Sequence, residues 1–159
     1  MRRIWSRWEI IISYIVFMAT VFDKDFLDSL LVQAGGSPRL RQNFDLRNSA
    51  SDTSQRMLNA LLPGTEVPIH RHEDTAETVV CLRGKLEEII YEEVTEYTSD
   101  MSSRTADVVR EVSFREVSRQ LLCPAEGLCG MQIPAGVWHT VHVIEPSIIF
   151  EAKDGAYVP

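Results

Sequence analysis

The spacing of apolar residues predicts one helix followed by a series of short strands. From Asp23 to Ala34 the apolar residues recur at helical spacing, Asp23 is suited to cap the first turn, and Gly35-Gly36 is suited to end the helix in a left-handed cap. From Gln55 onward, short apolar runs are separated by Gly and Pro turns, which is typical of strands. The predicted strands are 57–62, 78–82, 86–91, 108–122, 130–133, 141–144 and 147–151, with a turn at Gly84 closing the second. This pattern indicates an all-β sandwich or barrel with one N-terminal α-helix.

Two segments leave alternatives open. Residues 1–17 begin with a basic cluster and contain most of an apolar run, 10–22. We favour an over-extended start ahead of Met18, with a signal peptide, a membrane anchor and a docked strand or helix as alternatives. The polar segment Glu92–Arg119 is interpreted as a solvated excursion, in the form of an extended hairpin, a short helix or a partly mobile loop. We therefore divide the chain into a leader (1–17), a helix with a basic arm (18–52) and a β-domain (53–159).

Composition and charge exclude some partners. The 159 residues, 45% of them hydrophobic, correspond to one domain with one core. A net charge of −7 argues against nucleic acid, whose phosphates require Lys and Arg. The apolar run near the N-terminus is shorter than the roughly 20 residues of a membrane span, so a membrane is not expected. Three cysteines in a chain of this size favour a reducing compartment, and we expect the protein in the cytoplasm.

A His-x-His motif carries the main chemical signal. On a strand, His70 and His72 point to the same face, and a tight turn can bring Glu77 back beside them. Two imidazoles and a carboxylate suit one divalent transition metal, such as Zn, Fe, Mn or Ni. The alternative is a pair of exposed edge-strand histidines. Glycines at fixed spacing flank the histidines, in the pattern Gly-x5-His-x-His-x4-Glu-x6-Gly. This spacing makes the alternative less favoured.

A second motif lies about sixty residues further along. Pro134-Ala-Gly136 predicts a tight turn, and His139 follows it on a returning strand. Together the two motifs resemble the signature motifs of the cupin superfamily, although Val143 stands where many cupins carry Asn. The resemblance implies a double-stranded β-helix, also called a jelly-roll barrel. It also implies a single metal held by a set of four residues: His70, His72, Glu77 and His139.

The chain further resembles the WbuC family of cupin-fold metalloproteins from about Met18 to Pro159. The matching segments are 37–44, 55–61, 68–72, 133–139 and 150–157. The resemblance implies a small oxygen-rich ligand, sugar-like or an organic acid, and a link to surface-polysaccharide biosynthesis. The stretch 45–47 and the length of 92–119 depart from the family pattern. Fold-level analogy adds a homodimer formed through edge strands, with residues 18–45 as one candidate surface.

Residues around the motifs yield weaker predictions. An anion-recognising rim is predicted from four residues, with solvated or interdomain salt bridges as the alternative: Arg39, Arg41, Asn43 and Arg56. Lys153 and Tyr157 are candidates for a catalytic base, with packing of the C-terminus as the alternative. We expect His142 to face away from the metal and Arg71 to be a structural ion-pair partner.

Two classes of function are compatible with this set. One is an enzyme, either a metal-dependent isomerase or epimerase or an Fe-dependent dioxygenase. The other is a non-catalytic, metal-dependent binding or sensing module. A metal-free epimerase of the cupin type is disfavoured, because all four residues that the resemblance assigns to the metal are present.

Overall fold

A computed structural model describes residues 19–99 and 108–155, which form one helix followed by six strands. The elements are α1 (Lys24–Gly35), β1 (Arg41–Asp45), β2 (Ser54–Leu61), β3 (Glu77–Ser99), β4 (Val108–Leu122), β5 (Gly130–Ile133) and β6 (Trp138–Asp154). A short 3-10 turn, Pro124–Glu126, joins β4 to β5. The fold class is the predicted one, an all-β double-stranded β-helix with one N-terminal helix. The predicted leader 1–17 lies outside the described residues.

Helix α1 forms where the sequence predicts it. The Asp23 carboxylate accepts a hydrogen bond from the backbone N–H of Phe26 at 2.9 Å, which caps the first turn. At the other end the expected left-handed cap is wrong, because Gly36 has φ −84° and stays in the right-handed region. The buried face of the helix, at Leu30 and Ala34, packs on the outside of the sheet.

The strands form one antiparallel sheet with the order β1-β2-β6-β3-β4, and β5 also pairs with β3. The first part of β3 contacts both β5 and the end of β6, because Glu77 pairs with Ile133 on one side and Lys153 on the other. This double pairing and a bridge between His70 and His139 bring distant parts of the chain to one end of the barrel.

Two predicted strand breaks are wrong. Strand β3 continues through Gly84, where the register against β6 shifts, and β6 is one strand where two were expected. Gly84 has φ +93°, and a Cβ there would lie 2.3 Å from the carbonyl oxygen of Pro146. Glycine is therefore needed because the backbones approach closely at this irregularity, and not because the chain turns.

Strand alternation divides the apolar residues into two cores. On β2, Leu58 and Ala60 face α1, while Leu61 faces the barrel interior. On β6, Ile148 and Ile149 divide in the same way. The interior cluster consists of Leu61, Val79, Cys81, Leu86, Leu122, Ile133, Val143 and Ile149. It fills the barrel interior up to Ile133, the residue just before the Pro134–Gly136 turn of the second histidine motif.

The polar segment after Tyr91 is an extended arm. β3 and β4 stay paired from Leu86↔Leu122 to Ser99↔Val108, so the hairpin alternative is correct for the described part of this segment. Residues 100–107 of that segment lie outside the described part. None of the helices in 19–99 and 108–155 has the length and apolar character that a bilayer span requires.

Candidate metal centre

Backbone hydrogen bonds join the two histidine motifs. His70 and His139 exchange both bonds of a bridge, with N···O distances of 3.0 and 2.8 Å. The N–H of Gly136 donates to the carbonyl of His72 at 2.7 Å, which secures the Pro134–Gly136 turn against the first motif. These contacts fix the imidazoles relative to one another, although only His139 lies within a named strand.

The four residues of the predicted metal set converge. One ligand atom from each of them lies within 4.8 Å of all the others: His70, His72, Glu77 and His139. Oε2 of Glu77 is 3.0 Å from Nε2 of His72 and 3.2 Å from Nε2 of His139. Glu77 and His139 are buried, whereas His70 and His72 are partly exposed at the open end of the barrel. The predicted convergence is confirmed.

The donor set fits a divalent transition metal. Nδ1 of His70 lies 3.0 Å from the carbonyl of Pro68, and Nδ1 of His139 lies 2.9 Å from that of Val137. These contacts assign the imidazole protons to Nδ1 and leave the Nε2 lone pairs for a metal. At His139 that lone pair then faces the Glu77 carboxylate, and a cation between the two acceptors resolves their repulsion. Metal–ligand distances of about 2.0–2.2 Å require only small side-chain movements from this arrangement.

The third imidazole has a different partner. Nδ1 of His72 is 3.1 Å from the Nζ of Lys153, which assigns the proton to Nε2, where it is directed at Glu77. Metal coordination through Nε2 requires this proton to move to Nδ1 and Lys153 to release that nitrogen. Lys153, predicted as a catalytic candidate, thus contacts a residue of the candidate metal set. Tyr157, the other candidate, lies outside the described residues.

The protonation states favoured at the site suit the binding of a cation. Burial lowers the pKa of His70 and His72 by more than the negative charge of Glu77 raises it, so the neutral imidazoles that metals require are favoured. Burial acts to raise the pKa of Glu77, but any proton that the neighbouring imidazoles hold toward it, first of all at Nε2 of His139, lowers this pKa by more. The site therefore offers neutral nitrogens and a carboxylate.

A cavity of about 930 Å³ extends from these residues into the barrel. Its wall contains both apolar and polar residues, and two glutamates lie one strand repeat beyond the ligand set. Glu151 pairs in register with Val79, two residues after Glu77, and Glu88 pairs with Val141, two residues after His139. Two residues on a strand span roughly 7 Å, so both carboxyls belong to the next layer of the cavity.

Burial favours the neutral, protonated form of both glutamates. Burial, followed by the negative charge of Glu77, raises the pKa of Glu151 to about 8, against a hydrogen bond from Asn59 that lowers it. Burial raises the pKa of Glu88 well above its usual value, and the charges of Glu151 and Glu77 add to the effect. Ionisable groups with perturbed pKa values in a cleft are typical of functional sites.

Sequence reasoning missed this layer. Strands β2, β3 and β6 place Gln55, Asn59, Glu88 and Glu151 on the cavity wall. The available signal was a polar residue inside an apolar run, as in Met57–Leu62 for Asn59 and Ser147–Glu151 for Glu151. It could not be interpreted without the register that sets which face lines the cavity.

The structure brings only two of the four predicted rim residues to the cavity. Arg41 and Asn43 line the cavity, and the Nη1 of Arg41 donates to the carbonyl of Glu66 at 3.5 Å. Arg56 is on the opposite face of β2 from the cavity wall, where it pairs with Asp52 at 2.8 Å. Arg39 is exposed and is not among the residues that line the cavity.

Residues excluded from the metal set behave as expected. Nδ1 of His142 contacts Glu87 at 3.0 Å on the outside of the sheet. Arg71 pairs with Glu73 at 2.6 Å and lies over the Trp138 ring, 4.6 Å from its centre, which supports a structural role. Cys123 and Cys129, like Cys81, are free thiols.

Fold and site together define a cupin-type β-barrel protein with a candidate three-His, one-Glu metal centre. The chain belongs to the family described as "Domain of unknown function (DUF6016)", whose model matches residues 22–102. That match includes His70, His72 and Glu77. The finer resemblance to the WbuC family remains a prediction from the sequence. No curated protein matches the chain.

Several solved structures are similar at low identity. YcfD of E. coli is 16% identical with a TM-score of 0.44, over 66% of this chain and 26% of that one. The capsular polysaccharide assembling protein CapF from Staphylococcus aureus is 18% identical with a TM-score of 0.46, over 77% and 30%. Oxalate oxidase in complex with glycolate is 15% identical with a TM-score of 0.48, over 88% and 64%. The chain thus spans less than two thirds of each, and likeness at this level says nothing about ligand or activity.

Proposed function

We propose that this protein holds one divalent transition-metal ion on His70, His72, Glu77 and His139, and uses it to bind or transform a small oxygen-rich ligand in the adjoining cavity. The observation that carries the proposal is the convergence of three imidazoles and one carboxylate within 4.8 Å at the mouth of that cavity. Four protein donors leave one or two coordination positions of a six-coordinate metal for ligand oxygens. The ligand is then a sugar-like molecule or an organic acid.

Metal analysis of matched histidine variants tests the site. We expect the wild-type protein to bind one equivalent of metal and His139→Ala or His72→Ala to lose it, because each variant removes a donor nitrogen. His142→Ala is the control, since this imidazole lies on the outer surface against Glu87. Stoichiometric metal in both ligand variants, or equal loss in the control, would refute the site.

An enzymatic role is favoured over a purely binding role by one observation. The cavity contains two carboxyls, Glu88 and Glu151, whose pKa values are raised, and a carboxyl with a pKa of about 8, as at Glu151, can give or take a proton near neutral pH. Turnover of sugar nucleotides or organic acids by the metal-loaded protein is the measurement that separates the two roles. Oxygen consumption with bound iron would indicate a dioxygenase, and saturable binding without turnover would indicate a sensing module.

The link to surface-polysaccharide biosynthesis belongs to the same proposal. It is supported by the resemblance of the segments 37–44, 55–61 and 150–157 to the WbuC family. Conversion of a sugar nucleotide by the metal-loaded protein would support it. Conversion of organic acids alone would contradict it.

A further inference from the structure

Four polar side chains line the cavity beyond the metal set and are here called the acceptor wall: Gln55, Asn59, Glu88 and Glu151. We propose that the acceptor wall recognises a neutral, polyhydroxylated ligand, whose hydroxyl groups donate to the wall while other oxygens of the same molecule bind the metal. The inference rests on the proposed function and narrows it, because it selects sugar-like polyols over organic acids.

Two amide oxygens of the wall lack donors. Oε1 of Gln55 and Oδ1 of Asn59 are buried and have no hydrogen-bond partner within the described part of the chain. Each of these residues is only 7% exposed. A buried acceptor without a donor is costly, so proteins rarely keep one without a reason. Two such acceptors in the wall of one cavity are explained if a ligand supplies the donors.

The carboxyls of Glu88 and Glu151 favour the same kind of ligand. A hydroxyl group can donate to a carboxylate or accept from a protonated carboxyl, so it fits in either state. A ligand carboxylate only accepts, so it can take a hydrogen bond from a protonated Glu88 or Glu151 but cannot satisfy the amide oxygens of Gln55 and Asn59. A ligand carboxylate placed against these amide oxygens would bring two acceptors together, which disfavours organic acids at this depth of the cavity.

The cationic groups of the cavity do not reverse this preference. The Nζ of Lys153 is directed to Nδ1 of His72, and the guanidinium of Arg41 reaches the backbone carbonyl of Glu66. Arg71, the third cation that lines the cavity, pairs with Glu73. In the metal-loaded protein Lys153 is released from His72, and its charge and that of Arg41 then act on Glu151, which they help to ionise. The strongest remaining attraction for an anion is the metal itself, which binds neutral hydroxyl and carbonyl oxygens as well.

In a competing account, the side chains of the acceptor wall satisfy one another's hydrogen bonds without a ligand. A protonated Glu151 could donate to Oδ1 of Asn59, since these side chains are within hydrogen-bonding reach. In that case the wall is a structural network. The two accounts predict opposite effects on stability when Asn59 is replaced by an apolar residue of similar size.

The binding experiment compares D-glucitol with D-gluconate, which differ only in a terminal CH₂OH or carboxylate. Calorimetric titration of the metal-loaded protein should show D-glucitol binding at least about tenfold more tightly. Asn59→Leu and, as a second variant, Gln55→Met should each weaken D-glucitol binding roughly three- to tenfold, the usual effect of one hydrogen bond. Gln132→Leu, on the exposed side of β5, is the control and should bind like the wild type. Tighter binding of D-gluconate, or unchanged binding of D-glucitol by both wall variants, overturns the inference.

Stability supplies a second, independent readout. Without metal or ligand, Asn59→Leu should raise the midpoint of urea unfolding, because it removes an unsatisfied buried acceptor. A lower midpoint for both Asn59→Leu and Gln55→Met would show that the wall is already satisfied by the protein and would overturn the inference. Metal content measured on the same samples separates the two proposals. Failure to bind one equivalent of metal rejects the proposed function, whereas bound metal without a preference for D-glucitol rejects the acceptor wall alone.

Discussion

Replacing Glu151 by glutamine should change the stability of the protein in a strongly pH-dependent way. In the folded state burial raises the pKa of Glu151 to about 8 from an ordinary value of 4.5, which the unfolded chain regains. Between these values the folded state keeps a proton that the unfolded state has released. Stability therefore falls as the pH rises through this window, and the cost is fully present above about 8 and absent below about 4.5.

The size of the effect follows from the same two values. Each tenfold change in proton affinity corresponds to about 1.4 kcal/mol, which gives an upper bound of roughly 5 kcal/mol for this carboxyl. Relaxation of the buried site reduces the bound, and we expect about 2–4 kcal/mol. Other charges at the site also act on the pKa of Glu151, because Glu77 raises it further while Lys153 and Arg41 lower it. The charge of an ionised Glu151 in turn raises the pKa of Glu88.

Urea unfolding at pH 5 and pH 9, with a chelator present, measures the prediction. Glu151→Gln should match the wild type at pH 5 and exceed its free energy of unfolding at pH 9, because the amide carries no charge to desolvate. Glu145→Gln is the control on the same strand, where the side chain is exposed. A constant difference between Glu151→Gln and the wild type at both pH values would show that Glu151 ionises normally and would refute the reasoning.

Three further predictions concern the fold and the metal. Gly84→Ala should destabilise the protein by more than about 3 kcal/mol in urea unfolding, because the residue has φ +93° and the new methyl group would meet the backbone at Pro146. Asp23→Ala should cost about 1 kcal/mol by the same measurement, since it removes the cap on Phe26, and a cost near zero would contradict the capping role. Zn²⁺ at about one hundred times its Kd should raise the free energy of unfolding by about 2.7 kcal/mol, and this gain should disappear in His139→Ala.

Local interactions account for what the sequence predicted well. Helix α1 is specified by Asp23 and by apolar spacing within a dozen residues, so its bounds could be predicted almost to the residue. Strands were recognisable from alternation, but their ends were not. The cause is visible at Gly84, where the glycine marks a close backbone approach inside β3 and not its end.

The metal set was predictable for a different reason. His70, His72 and Glu77 are close in sequence, and the motif around His139 supplies the remaining donor together with its own turn. The sequence could name these residues, but it could not show the Lys153 contact with His72, which joins residues 81 positions apart.

By itself the sequence determined the helix and the all-β character, because both depend on short-range spacing. Its two motifs, through their resemblance to those of cupins, indicated the four residues of the candidate metal centre. Only the tertiary structure decided which polar residues line the cavity. Glu88 and Glu151 become buried neighbours of the metal set through the long register between β3 and β6. That register is set by packing along whole strands, and a shift of one residue would turn both carboxyls to the opposite face.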